Sequence, residues 1–445
     1  MPQATARRSA HFIGIAGSGM RALAARYRGA GWFVSGSDSA PGYLPHAAAN
    51  LAPGTQLVVH SSAIPAGNVE RRAAAALGIP TLSYCEALAR LMGSARGLAI
   101  AGTHGKSTVT ALTAHILRRS GRSPAVVCGA DTIKESAEAD AFDPWLIAEA
   151  CEYRRQFLAL RPEAAVLTGI EWDHVDCFNN PSEVIAAFAE FAANLPAEGC
   201  LILPHDDSGS ALAARGARCQ RFTFGFAPAA DWRAEGLRYS QGRARFNLVF
   251  RGENLGRVSL RIPGVHNIRN ALAAAGAAWV AGASRRAIVS GLISFEGVRR
   301  RLEAQAFASG MRVSDYAHHP TAVALGISTS RRMFPRRPIH CLFQPHQASR
   351  TEALLLQFAR ILAAADRVFV AEVYAARETS PGDGLRRKLV TEIRRAGGRA
   401  ETAPEAAEAA GWLAGGRSNA EARPVLLTMG AGDVERYHGD IRPAA

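Results

Sequence analysis

Lysine is nearly absent from this chain. It occurs three times, at 106, 134 and 388, so 52 − 3 = 49 of the basic residues are arginine. A lysine kept inside a glycine turn against that background points to a need for a slender ammonium, not merely for positive charge. Cysteine is thinly spread as well. The seven residues (85, 128, 151, 177, 200, 219 and 341) form no C-x-x-C pair, and an odd, scattered set fits a reducing cytoplasm. Long apolar runs are missing: none approaches the roughly 18 residues of a membrane-crossing helix. The basic and then apolar start, MPQATARRSAHFIGIAGSGM, is broken at Gly14, Gly17 and Gly19, so a cytoplasmic rather than a secreted protein is expected. Zinc-finger, RNA-recognition and helix-turn-helix spacings are also lacking. The net charge of +14, carried by arginines along the whole chain, is therefore read as solvated faces and affinity for phosphate-rich small molecules, with no nucleic-acid partner expected.

What is present is a soluble-protein composition, 48% hydrophobic and 20% charged, over 445 residues, enough for two to four domains. Residues 10–38 read as strand, glycine turn, helix and strand, and LVVHSSAI (57–64) as a further buried strand. RGLAIAG (96–102) starts a second unit, followed by a helix over 106–121, strands at 145–150, 164–170 and 199–204, antiparallel hairpins over 237–262 and a helix over 266–283. In a third unit the runs MRVSDYAHHP, RPIHCLFQPH, RVFVAEVY and VLLTMGAGD each end a predicted strand in polar residues, where ligands bind in parallel α/β sheets. The expected fold is α/β in three consecutive domains: a Rossmann-like domain over 1–93, a P-loop ATPase-like domain over 94–293 and a second Rossmann-like domain over 294–445.

Two glycine loops carry the chemistry. Gly102-Thr103-His104-Gly105-Lys106-Ser107-Thr108 lies between a strand and a helix. Its backbone amides can cradle phosphate, Lys106 can reach the β- and γ-phosphates, and the Ser107 hydroxyl can bind Mg²⁺. The loop departs from the common G-x-x-x-x-G-K-[ST] pattern, with Ile100 at the first glycine. The earlier loop, Gly14-Ile15-Ala16-Gly17-Ser18-Gly19, followed one strand later by Asp38, resembles a dinucleotide fingerprint. A dehydrogenase has no use for an ATP loop, so the pair of loops asks for a different enzyme.

In this order, the motifs resemble the Mur ligase family across nearly the whole chain. G-T-H-G-K-S is the family's form of the ATP loop. Glu149-Ala150-Cys151-Glu152 stands where these ligases carry a magnesium-bridging carboxylate, and Ile170-Glu171-Trp172-Asp173-His174-Val175-Asp176 resembles a segment whose histidine is a metal ligand. His266-Asn267-Ile268-Arg269-Asn270 resembles the adenosine-contacting helix start, and Gly297-Val298-Arg299-Arg300-Arg301 the linker into the last domain. Asp315-Tyr316-Ala317-His318-His319-Pro320 and Gln344-Pro345-His346-Gln347-Ala348-Ser349-Arg350-Thr351 resemble segments of the alanine-adding branch.

The resemblance implies ATP- and Mg²⁺-dependent coupling of L-alanine to the lactyl carboxylate of UDP-N-acetylmuramate through an acyl phosphate. It implies catalytic roles for Lys106, Glu149, His174, Asp315 and His318, with Ser107, Glu149 and His174 on metal. ATP is expected at residues 102–108, Asn267, Asn270 and Arg301. The UDP-sugar is expected at Gly17, Ser18, Gly19, Met20, Asp38, Ser61 and Ser62, and the amino acid at Tyr316, His318, His346 and Arg350. The reading leaves room for a homodimer. Three departures stand out: Gly169 replaces an asparagine, Gln347 replaces an arginine, and only 18 residues (39–56) separate Asp38 from the next strand, about one helix and strand too few. Two alternatives remain beside the main one: a recycling ligase that attaches a whole tripeptide, and a non-catalytic sugar-nucleotide-binding paralogue.

Overall fold

In the computed structural model, which describes residues 8–133, 143–240, 242–307, 310–376, 378, 384–403 and 424–438, three separate sheets follow one another along the chain. The first is parallel and has four strands, in the order Phe33–Ser37, Ser9–Ile13, Leu57–His60, Thr81–Ser83. Residues 39–56 supply a single 3₁₀ turn, Ala48–Asn50, and no strand, so the sheet is as short as the sequence suggested.

The second sheet has nine strands. Its parallel part runs from Ala125–Val127 through Trp145–Glu149, Arg96–Ala101, Ala164–Leu167 and Cys200–Pro204 to Gln220–Gly225 and Trp232–Ser240. An antiparallel meander, Trp232–Ser240, Arg243–Phe250 and Glu253–Ser259, closes one edge. The central strands are apolar on both faces because helices cover both. The third sheet has six strands, parallel apart from the edge hairpin Glu303–Phe307 with Gly310–Asp315. Glu303–Phe307 (EAQAF) is short and half polar, and its pattern alone does not reveal it as a strand.

Packing decides how the units sit together. One apolar cluster is continuous from Phe12, Leu23 and Tyr27 of the first unit, through Leu88 and Met92, to Leu146, Phe157 and Leu167 of the second. The third sheet has its own core around Val313, Phe343, Leu389 and Leu427, with Trp172 of the middle unit packed at its edge.

Helix starts divide into two kinds. Helices Val69–Ala76, Tyr84–Met92, Pro181–Ala193 and Arg285–Ser294 open on the capping side chains Asn68, Ser83, Asn180 and Ser284. Helices Ser18–Gly29, Lys106–Arg119 and Val265–Val280 follow Gly17, Gly105 and Gly264 and have no side-chain cap, so their first amides stay available. Among the described residues no helix is long and apolar enough to cross a membrane.

Candidate active site

The strand Arg96–Ala101 runs into the loop at Gly102–Gly105 and then into the helix Lys106–Arg119. Glycine is required twice here: φ is +124° at Gly102 and +81° at Gly105, and a Cβ would collide with Thr168 Oγ1 at the first and with Asn270 Oδ1 at the second. Asn270 donates to Asn267 Oδ1 at 2.9 Å, and Asn267 to the Pro263 carbonyl at 2.6 Å. The start of the uncapped helix Val265–Val280 is thereby fixed, with Asn270 directly beside Gly105 of the phosphate loop.

Lys106 Nζ folds back onto the Gly102 carbonyl at 2.5 Å and pairs with Glu152 at 2.9 Å. Glu152 Oε1 lies 3.4 Å from His174 Nε2. Burial alone would raise the Glu152 pKa, but the Lys106 charge and the His174 hydrogen bond outweigh it and hold the carboxyl down at about 2. Burial alone would lower Lys106; attraction to Glu152, Cys151 and Glu149 outweighs that and raises it. A buried lysine–carboxylate pair at the mouth of a phosphate loop is a cation store and an oxygen ligand side by side.

Glu149 and His174, expected to share one metal, are not partners here. Glu149 Oε1 accepts from the Gly129 amide at 2.8 Å and from Cys128 Sγ at 3.0 Å, and the carboxylate beside His174 is Glu152. The chain turns sharply after the strand Trp145–Glu149, with Arg154 and Arg155 at φ of +50° and +56°, and Glu152 lies in that turn against Lys106. Nothing in residue type separates two glutamates three positions apart. The signal that could have found Glu152 is its place beyond the strand end, where a carboxylate reaches a facing loop.

The first glycine loop meets the same region. A Cβ on Gly129 would stand 3.7 Å from Ser18 Oγ and 3.6 Å from the Glu149 carboxylate. Gly19 faces Tyr84. Asp38 is turned into the loop, accepting from the Ala16 and Ala40 amides at 2.9 Å each. The Ser61 hydroxyl accepts from Ala63 N at 3.3 Å, and Met20 is buried. Among the described residues the Ser62 side chain has no hydrogen-bond partner.

From the third unit, Arg301 reaches Ser107 Oγ at 3.5 Å and lies over the Tyr316 ring at 4.9 Å. Asp315 is spent on backbone: its carboxylate accepts from Leu302 N at 2.9 Å and Ala317 N at 2.8 Å, and burial raises its pKa. His318 donates from Nδ1 to the Tyr316 carbonyl, 2.9 Å away, and its ring lies 5.5 Å from that of His346. His346 stacks on Tyr374 at 5.6 Å. Arg350, 2% exposed, pairs through Nε with Asp173 at 2.8 Å, and its Nη1 lies 3.1 Å from His346 Nδ1. Burial would raise Asp173; the Arg350 charge drives it well below the usual carboxylate range. Gln347, where an arginine was expected, sits at φ +66° with its backbone N–H donating to the Tyr374 carbonyl at 2.8 Å. The structure thus collects Lys106, Ser107, Glu152, His174, Asp173, Arg350 and Arg301 where the middle and last sheets face each other.

This arrangement belongs to a known class. The catalytic-domain, middle-domain and glutamate-ligase-domain patterns of the Mur ligase family match residues 9–96, 100–278 and 300–432. The chain belongs to the Mur ligase family. Among individual proteins, the UDP-N-acetylmuramate–L-alanine ligase of Caldanaerobacter subterraneus subsp. tengcongensis is 34% identical over 95% of both chains. The enzyme of the same name from Stenotrophomonas maltophilia is 38% identical, over 95% of this chain and 92% of its own. The fold is that of the UDP-N-acetylmuramate-alanine ligase of Thermotoga maritima, with a TM-score of 0.79, 24% identity and 97% of each chain covered. A murein peptide ligase of Psychrobacter arcticus superimposes with a TM-score of 0.70, 23% identity and 98% coverage of each.

Proposed function

We propose that this chain joins L-alanine to the lactyl carboxylate of UDP-N-acetylmuramate, converting ATP to ADP through an acyl phosphate, in the cytoplasmic synthesis of peptidoglycan precursors. The observation that carries the reading is the buried Lys106–Glu152–His174 cluster at the mouth of a phosphate loop. Full-length likeness to alanine-adding relatives supports the choice of substrates.

Each unit has a task in this reading, with limits at 1–93, 94–293 and 294–445. The first loop, Gly17–Met20, receives the UDP-sugar, and Ser18 beside Gly129 directs its acyl end toward the second unit. The loop 102–108, with the open amides of the helix Lys106–Arg119, receives the ATP phosphates. Asn267 and Asn270 line the adenosine side and Arg301 approaches from the third unit. Tyr316, His318 and His346 form the amino-acid side, with Arg350 positioning His346. Asp315 positions the linker through Leu302 and does not enter the chemistry.

Mg²⁺ fits this donor set. The Glu152 carboxylate and the Ser107 hydroxyl are the oxygen ligands it prefers, and His174 Nε2 lies beside the first. When bound it supplies charge neutralisation to the transferring phosphoryl group. The chain's own residues do the rest. Lys106 presents an ammonium to the phosphates once ATP displaces it from the Gly102 carbonyl. The loop amides fix the γ-phosphate in line with the sugar carboxylate, and positioning supplies most of the rate in phosphoryl transfer. A neutral His318, its pKa pulled well down by burial and by Arg350, can take a proton from the attacking amine.

The deciding experiment is ADP and phosphate release with UDP-N-acetylmuramate, assayed against L-alanine, glycine, L-serine and the recycled tripeptide. Turnover with L-alanine is expected to dominate. Preference for the tripeptide, or no turnover with any acceptor, overturns the reading.

A further inference from the structure

A second cluster lies at the phosphate loop, between the middle and last units, and shares no residue with the Glu152 cluster. His104 Nε2 and His319 Nδ1 stand 3.4 and 3.6 Å from the same oxygen, Glu171 Oε2. All three ligand atoms lie within 4.8 Å of one another, and the two rings are 5.0 Å apart. Both separations exceed those of a well-formed N–H···O bond, about 2.7–3.2 Å. They match ligand atoms sharing a tetrahedral ion, which stand about 3.3 Å apart when each bond is near 2.0–2.1 Å.

The nitrogens are independently conspicuous. His319 is 6% exposed, yet neither its Nδ1 nor His104 Nε2 has a hydrogen-bond partner. The other ring nitrogen of His319, Nε2, is 3.2 Å from the Trp172 carbonyl, which can only accept. Nε2 therefore carries the proton, and in the neutral ring Nδ1 presents a lone pair to a carboxylate. Two electron-rich atoms face each other at a partly exposed site, and a cation is what reconciles them. The supports a metal-binding triad needs are already in place. A ligating histidine usually gives its second N–H to a carbonyl, as His319 does, and a ligating carboxylate is itself hydrogen-bonded, as Glu171 is by Thr321 Oγ1 at 2.6 Å.

We propose that His104, Glu171 and His319 form a site for a borderline transition-metal ion such as Zn²⁺, separate from the Mg²⁺ ligands Glu152 and His174. Two imidazoles and one carboxylate suit Zn²⁺ or Co²⁺ and are a poor set for Mg²⁺, which wants oxygen. The Glu171 side chain is 41% exposed, which leaves room for water to complete the coordination. The ion ties three segments together: the phosphate loop through His104, the segment after strand Ala164–Leu167 through Glu171, and the start of helix Pro320–Met333 through His319. It is a strap between the middle and last units, and it stands whether or not the chain makes an alanyl amide.

Co²⁺ is the probe, added to the full chain in excess Mg²⁺ and followed by equilibrium dialysis and visible absorption. One Co²⁺ per chain is expected, displaced by Zn²⁺ and indifferent to Mg²⁺. His319→Asn keeps a residue suited to starting a helix and removes the nitrogen ligand; it and Glu171→Gln should each weaken Co²⁺ binding at least about tenfold, as loss of even supporting groups does. A His174→Asn control should bind as the parent does. No Co²⁺ bound in excess Mg²⁺ overturns the proposal. So does parent-like affinity in a folded His319→Asn chain, or loss of binding in His174→Asn instead, which places the ion at the Cys151–Glu152–His174 cluster.

Discussion

The chain contains two strand–glycine loop–helix turns, and they are built differently. At Gly14–Gly19 only Gly14 has a positive φ, +82°, and the loop is filled by a carboxylate: Asp38 takes the Ala16 amide. At Gly102–Lys106 two glycines have positive φ, and the loop is backed by an ammonium that folds onto its carbonyl. Both open onto uncapped helices. The backbone turn is therefore common property, and the charge set into it decides what it accepts. A loop whose Ala16 amide is already taken by a carboxylate keeps only the open amides of its helix for a diphosphate, whereas a loop lined by Lys106 adds an ammonium and invites triphosphate.

The largest effects should come from the second loop. Glu152→Ala and His174→Ala are each expected to cut amide formation at saturating Mg²⁺ at least about a hundredfold, the scale of losing one preorganised electrostatic partner. The double substitution should be little worse than either single one, because groups acting as a unit are not additive. Calorimetric binding of UDP-sugar should hardly change. Independent, additive losses would separate the two residues. Glu149→Ala should cost much less than Glu152→Ala, and equal losses would return the metal to Glu149.

Lys106→Arg should lower kcat by at least about tenfold, roughly 1.4 kcal/mol of barrier, because a planar guanidinium does not fit the turn filled by an ammonium. Retention of full turnover would mean that charge alone distinguishes the two loops. In the first loop, Asp38→Ala frees two amides and should lower stability by about 1–2 kcal/mol in urea unfolding while weakening UDP-sugar and leaving ATP affinity intact. Weakened ATP instead would erase the division of labour.

The last effect is on pH dependence. Glu152 is held at about 2 in the folded chain against an ordinary 4.5. A depressed carboxyl contributes stability that is fully present above about 4.5 and is lost as pH falls toward 2. The urea midpoint should fall through that window, less steeply in Glu152→Gln. An unchanged slope would show that the pair does not form in solution.

Much of this was legible in the chain. Strands ending in glycine, the helix 106–121 and the hairpins of 237–262 follow from periodicity and from glycine placement, which are local. Lys106 was legible because lysine is so rare. The contents of the sites were less so. Glu152 reaches Lys106 from a turn beyond the strand end that also carries Arg154 and Arg155 in left-handed backbone, which arginine rarely advertises. Asp173 and Arg350 meet across 177 positions, and Thr321 and Glu171 across 150. Such meetings depend on how two sheets dock, and residue spacing carries no trace of it. Asp315 and Asp38 looked like chemistry and hold backbone, because a carboxylate at a strand end serves either purpose.

The Asp173–Arg350 pair has a consequence for modularity. The guanidinium and carboxylate are almost wholly enclosed, one supplied by the middle unit and one by the last. Parting them leaves a lone charge in each half, at a penalty of several kcal/mol where it stays enclosed. A gene cut near residue 295 would thus yield two fragments that each carry half of a contact neither can replace. The last unit can swing only if this joint survives the swing or water enters it, so the chain is three sheets in architecture but, from Asp173 onward, one indivisible piece.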